Sequence, residues 1–364
     1  MNFLKINLKR YLVVSFLFLV SSESFSQIPN GYYSNALGFT GDTLKDSLNN
    51  IIDGHVEFPY TSGSQMDCWD VLKQADKDPN NSSNVVGIYS RFSMNGPLEY
   101  NSGQGWSREH VWAKSRGNFG TSRGEGTDLH NLFAEDISTN SARNNRNFDI
   151  GDIRYVDNSG TYSGSTNAFT SSSRWVWEPP DSLKGDVARV IFYMDVRYEG
   201  ENGELDLEVT DSLLPRSSQL PLHGNARTLY SWHLLDTVNN QERRRNDTIF
   251  KYQNNRNPFV DQPSFVQSIY GARYGSVSAG SKELYEINPY TIYPNPSNQN
   301  IIVESNKRSI VEVLIIDSQG KIVLKEQPLL NRVDMNIDEL ERGLYFLRIS
   351  DSSGQEYTHR HIIE

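Results

Sequence analysis

The chain has a single cysteine, Cys68, in 364 residues. An internal disulfide is therefore excluded, and an ordinary apolar core, bound ions or both must hold the fold. The thiol sits in Met66-Asp67-Cys68-Trp69-Asp70-Val71-Leu72, an apolar helical pattern with two Asp closer than any basic residue. That setting predicts a buried, inert thiol rather than a nucleophile. Long apolar runs are missing too. Tyr11–Val20 has ten residues, against the ~20 that a membrane-spanning helix needs. With Lys5, Lys9 and Arg10 before it and Ser24-Phe25-Ser26 after it, the segment predicts a secretory signal over residues 1–26 rather than an anchor. The chain also lacks basic excess: its net charge is −10 and its pI about 5.3, which argues against a chain-wide nucleic-acid footprint. The absence of His-Glu-x-x-His argues against a zincin.

What is present is concentrated within about forty residues. Trp106-Ser107-Arg108-Glu109-His110-Val111-Trp112 is followed by Asp128-Leu129-His130-Asn131-Leu132, then by Asn140-Ser141-Ala142-Arg143-Asn144-Asn145-Arg146-Asn147. The expected order is strand, Gly-rich loop, strand (Leu129–Ala134), and a helix capped by Asp136 and running to about Asn145. Glu109 and His110 are neighbours on the first strand, so both can face one site only if the strand ends or bends there. Glu109 and Asn140 would offer one carboxylate and one neutral oxygen. That sparse set suits Mg²⁺, which keeps most of its waters and takes a phosphate oxygen. A neutral His could take a proton from water near pH 7. Arg143 and Arg146, or the loop residues Arg116 and Arg123, could neutralise phosphate oxygens. His130, between apolar residues, reads as structural support. Arg189, Tyr193 and Arg197 share a helical face and read as packing and ion pairing. Together these predict metal-assisted cleavage of a phosphodiester.

Those three motifs, with Pro179-Pro180-Asp181, Lys184-Gly185-Asp186-Val187-Ala188-Arg189 and Asn255-Arg256-Asn257-Pro258-Phe259, resemble the bacterial endonuclease I family of secreted or periplasmic nucleases, from about Tyr32 to Val266. The resemblance implies an α+β fold with a ββα-metal (His-Me finger) core embedded in a mainly helical domain. It implies cleavage of DNA, and often RNA, with little sequence preference and 5′-phosphate products. By position it implies His110 as general base, Glu109 and Asn140 as ligands of Mg²⁺ (Mn²⁺ or Ca²⁺ as alternatives), and a phosphate-binding Arg from the loop, with Arg116 and Arg123 competing. Ala113 departs from the family, which usually has Pro there.

After Ser276 the pattern changes to short alternating strands, beginning at Tyr293-Pro294-Asn295-Pro296, and predicts a small β-sandwich. With Asp317-Ser318-Gln319-Gly320-Lys321 and Gly343-Leu344-Tyr345-Phe346-Leu347, this tail resembles the sorting domain of type IX secretion cargo. It implies passage through the periplasm to the outside and engagement of that secretion machinery; no stable protein partner is implied. The expected division is signal 1–26, nuclease-like domain 27–275, linker 276–292 and sandwich 293–364. Two other readings are a catalytically inactive nucleic-acid- or surface-binding protein and a phosphodiesterase acting on non-nucleic substrates.

Overall fold

A computed structural model describes residues 28–275, 290–305, 309–352 and 356–364. The expected signal and most of the expected linker lie outside them. Among the described residues no helix is long and apolar enough to cross a membrane.

Helix α1 (Gly41–Ile52) forms because Leu44, Leu48 and Ile52 recur on one face, and all three are fully buried. Each contributes roughly 1.5–3 kcal/mol of burial. Helix α2 (Cys68–Ala75) starts at a capping box in which Asp67 and Asp70 exchange hydrogen bonds with each other's backbone. Cys68 is wholly buried beside Trp69, Val71 and Trp106. Burial pushes its thiol up to about 12, and the Sγ lies 3.7 Å from the Thr127 carbonyl. The thiol is buried, as expected.

Strands β1 (Asn84–Val86) and β2 (Ser93–Asn95) form a hairpin. Strand β1 stops at Val86 because the chain turns from Gly87. A Cβ there would lie 2.6 Å from Glu135 Oε1 and 2.3 Å from Ser90 Oγ, so only glycine fits. Strand β3 (Trp106–His110) pairs antiparallel with β4 (Leu132–Asp136), His110 facing Leu132 and Trp106 facing Asp136. Helix α3 (Ile137–Arg143) follows, its first turn capped by the Asp136 side chain. Strand, long loop, strand and helix therefore occur in the expected order. The second strand begins three residues later than expected, because Asp128–Leu132 closes a turn through Asn131 N–H and Leu132 N–H to Asp128 O.

A four-stranded sheet comes next, in the order β5 (Asn147–Phe148), β8 (Val176–Glu178), β7 (Gly164–Thr170) and β6 (Ile153–Asp157). Within the Ser/Gly/Thr/Asn-rich residues 157–173, Gly164–Thr170 forms β7. Thr166 and Ala168 point inward and the small polar residues outward, so the composition hid an alternating strand.

Helix α4 (Lys184–Arg197) is buried almost all round and forms the centre of the main core with Val187, Ile191 and Met194. Its polar residues are paired: Arg189 with Glu242, Arg197 with Glu204 and Asp53, and Tyr193 with Asp128. The packing and ion-pairing reading of that face holds. A short parallel pair, β9 (Glu208–Val209) and β10 (Leu222–His223), precedes α5 (Ala226–Leu235), α6 (Asn240–Gln253), α7 (Pro258–Asp261) and α8 (Ser264–Tyr274).

The C-terminal region is a β-sandwich of two antiparallel sheets. One contains β11 (Tyr290–Tyr293), β12 (Asn300–Ser305) and β15 (Arg332–Asn336). The other contains β14 (Ile322–Glu326), β13 (Ile310–Asp317), β16 (Gly343–Asp351) and β17 (Glu356–Ile363). Ile301, Val303, Val313, Ile315, Leu347 and Ile349 fill the space between them. From β17, Arg360 forms a bidentate pair with buried Glu178 of β8, both bonds 2.8 Å, and stacks over Phe169.

Candidate active site

The carboxyl end of β3 and the face of α3 border a cleft of about 640 Å³ whose walls include Glu109, His110, Lys114, Asn140, Asn144 and Asn145. Because β3 stops at His110, two consecutive side chains reach the same cleft. Ser107 and Glu109 share one face of the strand, and Arg108 and His110 the other.

Glu109 is 2% exposed. Its Oε1 accepts from Tyr89 Oη at 2.9 Å and meets Arg143 Nη1 at 3.3 Å. Its Oε2 has no hydrogen-bond donor among the described residues. Burial pushes the carboxyl up to about 7, against the pull of Arg143, Tyr89 and Lys114. Tyr89 is held in turn by Glu135, which accepts from the backbone N–H groups of Tyr89 and Ser90 and from Ser90 Oγ.

His110 is 5% exposed. Its Nε2 lies 3.0 Å from the Gly126 carbonyl. A carbonyl only accepts, so Nε2 carries the proton and Nδ1 keeps a lone pair. The ring lies nearly parallel to Tyr60, centroids 5.8 Å apart. Burial pushes the imidazole down to about 3; the Gly126 carbonyl opposes this, while Lys114, Arg108 and Arg143 add to it. The imidazole is thus neutral at pH 7.

Asn140, on α3, donates through Nδ2 to Ser107 Oγ at 3.0 Å. That bond orients the amide and leaves Oδ1 without a donor among the described residues. No cluster of three or more His, Cys, Asp or Glu side chains able to hold a metal occurs among those residues. A cation here would rest on Glu109 Oε2 and Asn140 Oδ1, one anionic and one neutral oxygen. Those donors fit a hard, heavily hydrated ion such as Mg²⁺ and not a thiophilic one.

The arginines part company with their sequence grouping. Arg116 is fully buried and does not reach the cleft. Its guanidinium binds the carbonyls of Pro215 at 3.0 Å and Asn145 at 2.8 Å, and burial, with Arg143 nearby, pushes it down to about 10. Arg123 is exposed on the loop, bonded to the Glu57 carbonyl, and is not on the cleft wall. Arg143 lies under Glu109, tying down the carbonyls of His110 and Val111 at the strand end. Arg146 stacks on Trp175, 3.8 Å from the ring centroid. Arg108 stacks on Tyr60 and Trp69 at 3.3 and 3.9 Å. These arginines do not share one face: Arg116 and Arg143 are buried, Arg123 lies off the cleft, and Arg108 and Arg146 stack on aromatic rings. Lys114 is exposed at the cleft rim and has no ion pair among the described residues. His130 is buried away from the cleft, its Nε2 directed at the Asn255 carbonyl and its ring against Tyr193, consistent with structural support.

Tyr60, Tyr89 and Gly126 escaped the motif reading as site residues. Tyr89 and Tyr60 arrive from distant turns, and Gly126 acts through its backbone.

A neutral imidazole beside free hard-oxygen donors, in a cleft with a cationic rim, is chemistry suited to hydrolysing a phosphodiester. Comparison with known proteins gives that class a family. The profile of the endonuclease I family matches residues 40–264, and the chain belongs to that family. A second profile, the secretion system C-terminal sorting domain, matches residues 291–364. An extracellular ribonuclease of Bacillus subtilis (strain 168) is 44% identical over 240 residues, 66% of this chain and 78% of that protein. An extracellular ribonuclease of Bacillus amyloliquefaciens is 42% identical over the same shares. The protein is a nuclease carrying a type IX sorting domain, directed to the cell surface or beyond.

Proposed function

We infer that the protein is a Mg²⁺-dependent endonuclease of low sequence preference. It would cut DNA and RNA and leave 5′-phosphates, with β3, β4 and α3 acting as a ββα-metal core. The observation that carries this is the His110–Gly126 contact, which leaves Nδ1 as a base beside the uncommitted oxygens of Glu109 and Asn140. His110 Nδ1 takes a proton from the attacking water. Glu109 and Asn140 would hold the cation, and Tyr89 and Arg143 hold Glu109. When bound, Mg²⁺ supplies charge stabilisation for the leaving 3′-oxygen. Lys114, rather than Arg116 or Arg123, is placed to meet a non-bridging phosphate oxygen. The relatives' names favour RNA among the substrates.

The test is cleavage of plasmid and of RNA by the full chain, with Mg²⁺ and with EDTA, beside His110→Ala. The variant is expected to lose at least ~10²-fold in turnover with its fold intact, the scale of general-base catalysis. Near-wild-type cleavage by that variant would remove His110 from the reaction, and cleavage unaffected by EDTA would remove the metal.

A further inference from the structure

Trp175 carries two guanidinium groups on its ring, Arg146 at 3.8 Å and Arg216 at 5.1 Å from the centroid. Neither forms an ion pair with a carboxylate among the described residues. Asp149, the nearest acid in sequence to Arg146, is held by Arg174 at 2.8 Å. Arg146 is bonded only through Nε, to the Ala142 carbonyl, while Arg216 is exposed. Burial and the like charge of Arg216 both push Arg146 down, so the pair repels as it stands.

The stack is joined to the cleft through one side chain. Asn145, on the cleft wall, accepts from Trp175 Nε1 at 2.8 Å. It donates to Ser115 Oγ at 3.0 Å and to the Arg216 carbonyl at 2.8 Å. Two planar cations, braced on one ring beside a nuclease cleft and lacking an anion, present donors in the geometry that phosphate oxygens accept. The ring offsets part of their repulsion, and a bound anion would offset more of it.

We propose that Arg146, Trp175 and Arg216 form a phosphate subsite that grips the nucleic-acid backbone away from the scissile bond. It gives the enzyme a preference for chains long enough to span both places. Guanidinium donors address phosphate oxygens and not base edges there, so the contact reads backbone and not sequence. The inference rests on the nuclease reading above.

Binding separates the two. Fluorescence anisotropy of labelled single-stranded DNA of four and of twelve nucleotides is measured in Mg²⁺ at several salt concentrations, using the uncleaving His110→Ala protein. The twelve-mer should bind more tightly than the four-mer. Adding Arg146→Gln and Arg216→Gln should remove most of that advantage, about tenfold, and flatten the salt slope by about 0.7 per lost phosphate contact. Arg216→Gln alone, at an exposed position, should give roughly half of the slope change even if the double change disturbs folding. If the parent protein binds neither oligonucleotide, the nuclease reading fails and the subsite with it. If it binds the twelve-mer and the arginine variants bind with the same affinity and slope, the subsite alone is overturned.

Discussion

Glu109 is gripped through a single oxygen. Tyr89 and Arg143 both address Oε1, so the carboxylate is fixed in rotation while its other oxygen stays available. Removing the Tyr89 hydroxyl should leave the fold nearly unchanged and loosen that orientation. Tyr89→Phe is expected to raise the Mg²⁺ concentration for half-maximal cleavage by about tenfold or more, the usual scale for a partner that orients a ligand. A metal titration that overlays the wild type would mean Tyr89 plays no part. Arg116 makes the opposite case. Its donors bind backbone carbonyls between Asn145 and Pro215, and Arg116→Ala deprives the buried Asn145 carbonyl of that donor. The variant should lose roughly 3 kcal/mol of stability while keeping the salt dependence of substrate binding. A stable variant with a flattened salt slope would return Arg116 to phosphate binding.

At the scale of elements, the sequence disclosed the local and periodic features. The apolar spacing of α1 and α4, the Asp136 cap of α3 and the alternation of the sandwich strands depend on neighbours in the chain, and they were legible. So was the gathering of Glu109, His110 and Asn140 on one cleft, because strand, loop, strand and helix are contiguous. Contacts made across the fold were not legible. Tyr89 reaches Glu109 through a turn pinned by Glu135, and Arg116 reaches a carbonyl ninety-nine residues away. Nor does residue type reveal a backbone role such as that of Gly126. A Cβ at Gly126 would fall 2.5 Å from the Ser122 carbonyl, so Gly126→Ala must move the loop and tilt the carbonyl that sets the His110 tautomer. Its kcat should fall by up to about 10²-fold with KM changed less, because misorientation affects the chemical step. Equal kcat in variant and wild type would show that the carbonyl does not orient the base.

At the scale of the whole molecule, the sandwich contributes no side chain to the cleft among the described residues, yet it touches the nuclease domain through Arg360 and Glu178. A protein ending at Gly280 should still cut nucleic acid, since Glu178 keeps Lys184 at 2.8 Å, but should stay in the periplasm of its host. A folded, inactive truncation would place the sandwich in the catalytic unit. The same contact has a pH signature. Burial pushes Glu178 up, but Lys184 and Arg360 outweigh it and hold the carboxyl below its ordinary 4.5. Its stabilisation is therefore complete above that value and is lost as pH falls through the lower folded value. Glu178→Gln should make the full chain's stability less sensitive to pH below 4.5, as thermal melts across that range would show.

The buried Cys68 gives this enzyme an intrinsic reporter. With one thiol and no disulfide, folding is indifferent to the redox state on either side of the envelope, and reducing agents should not alter activity. The sulfur lies against Thr127, next to the carbonyl that orients the base. A maleimide can therefore reach it only when α2 lifts from that loop or the domain unfolds. The alkylation rate, followed by mass, would time exposure of that loop, by local opening or by unfolding, without any introduced label.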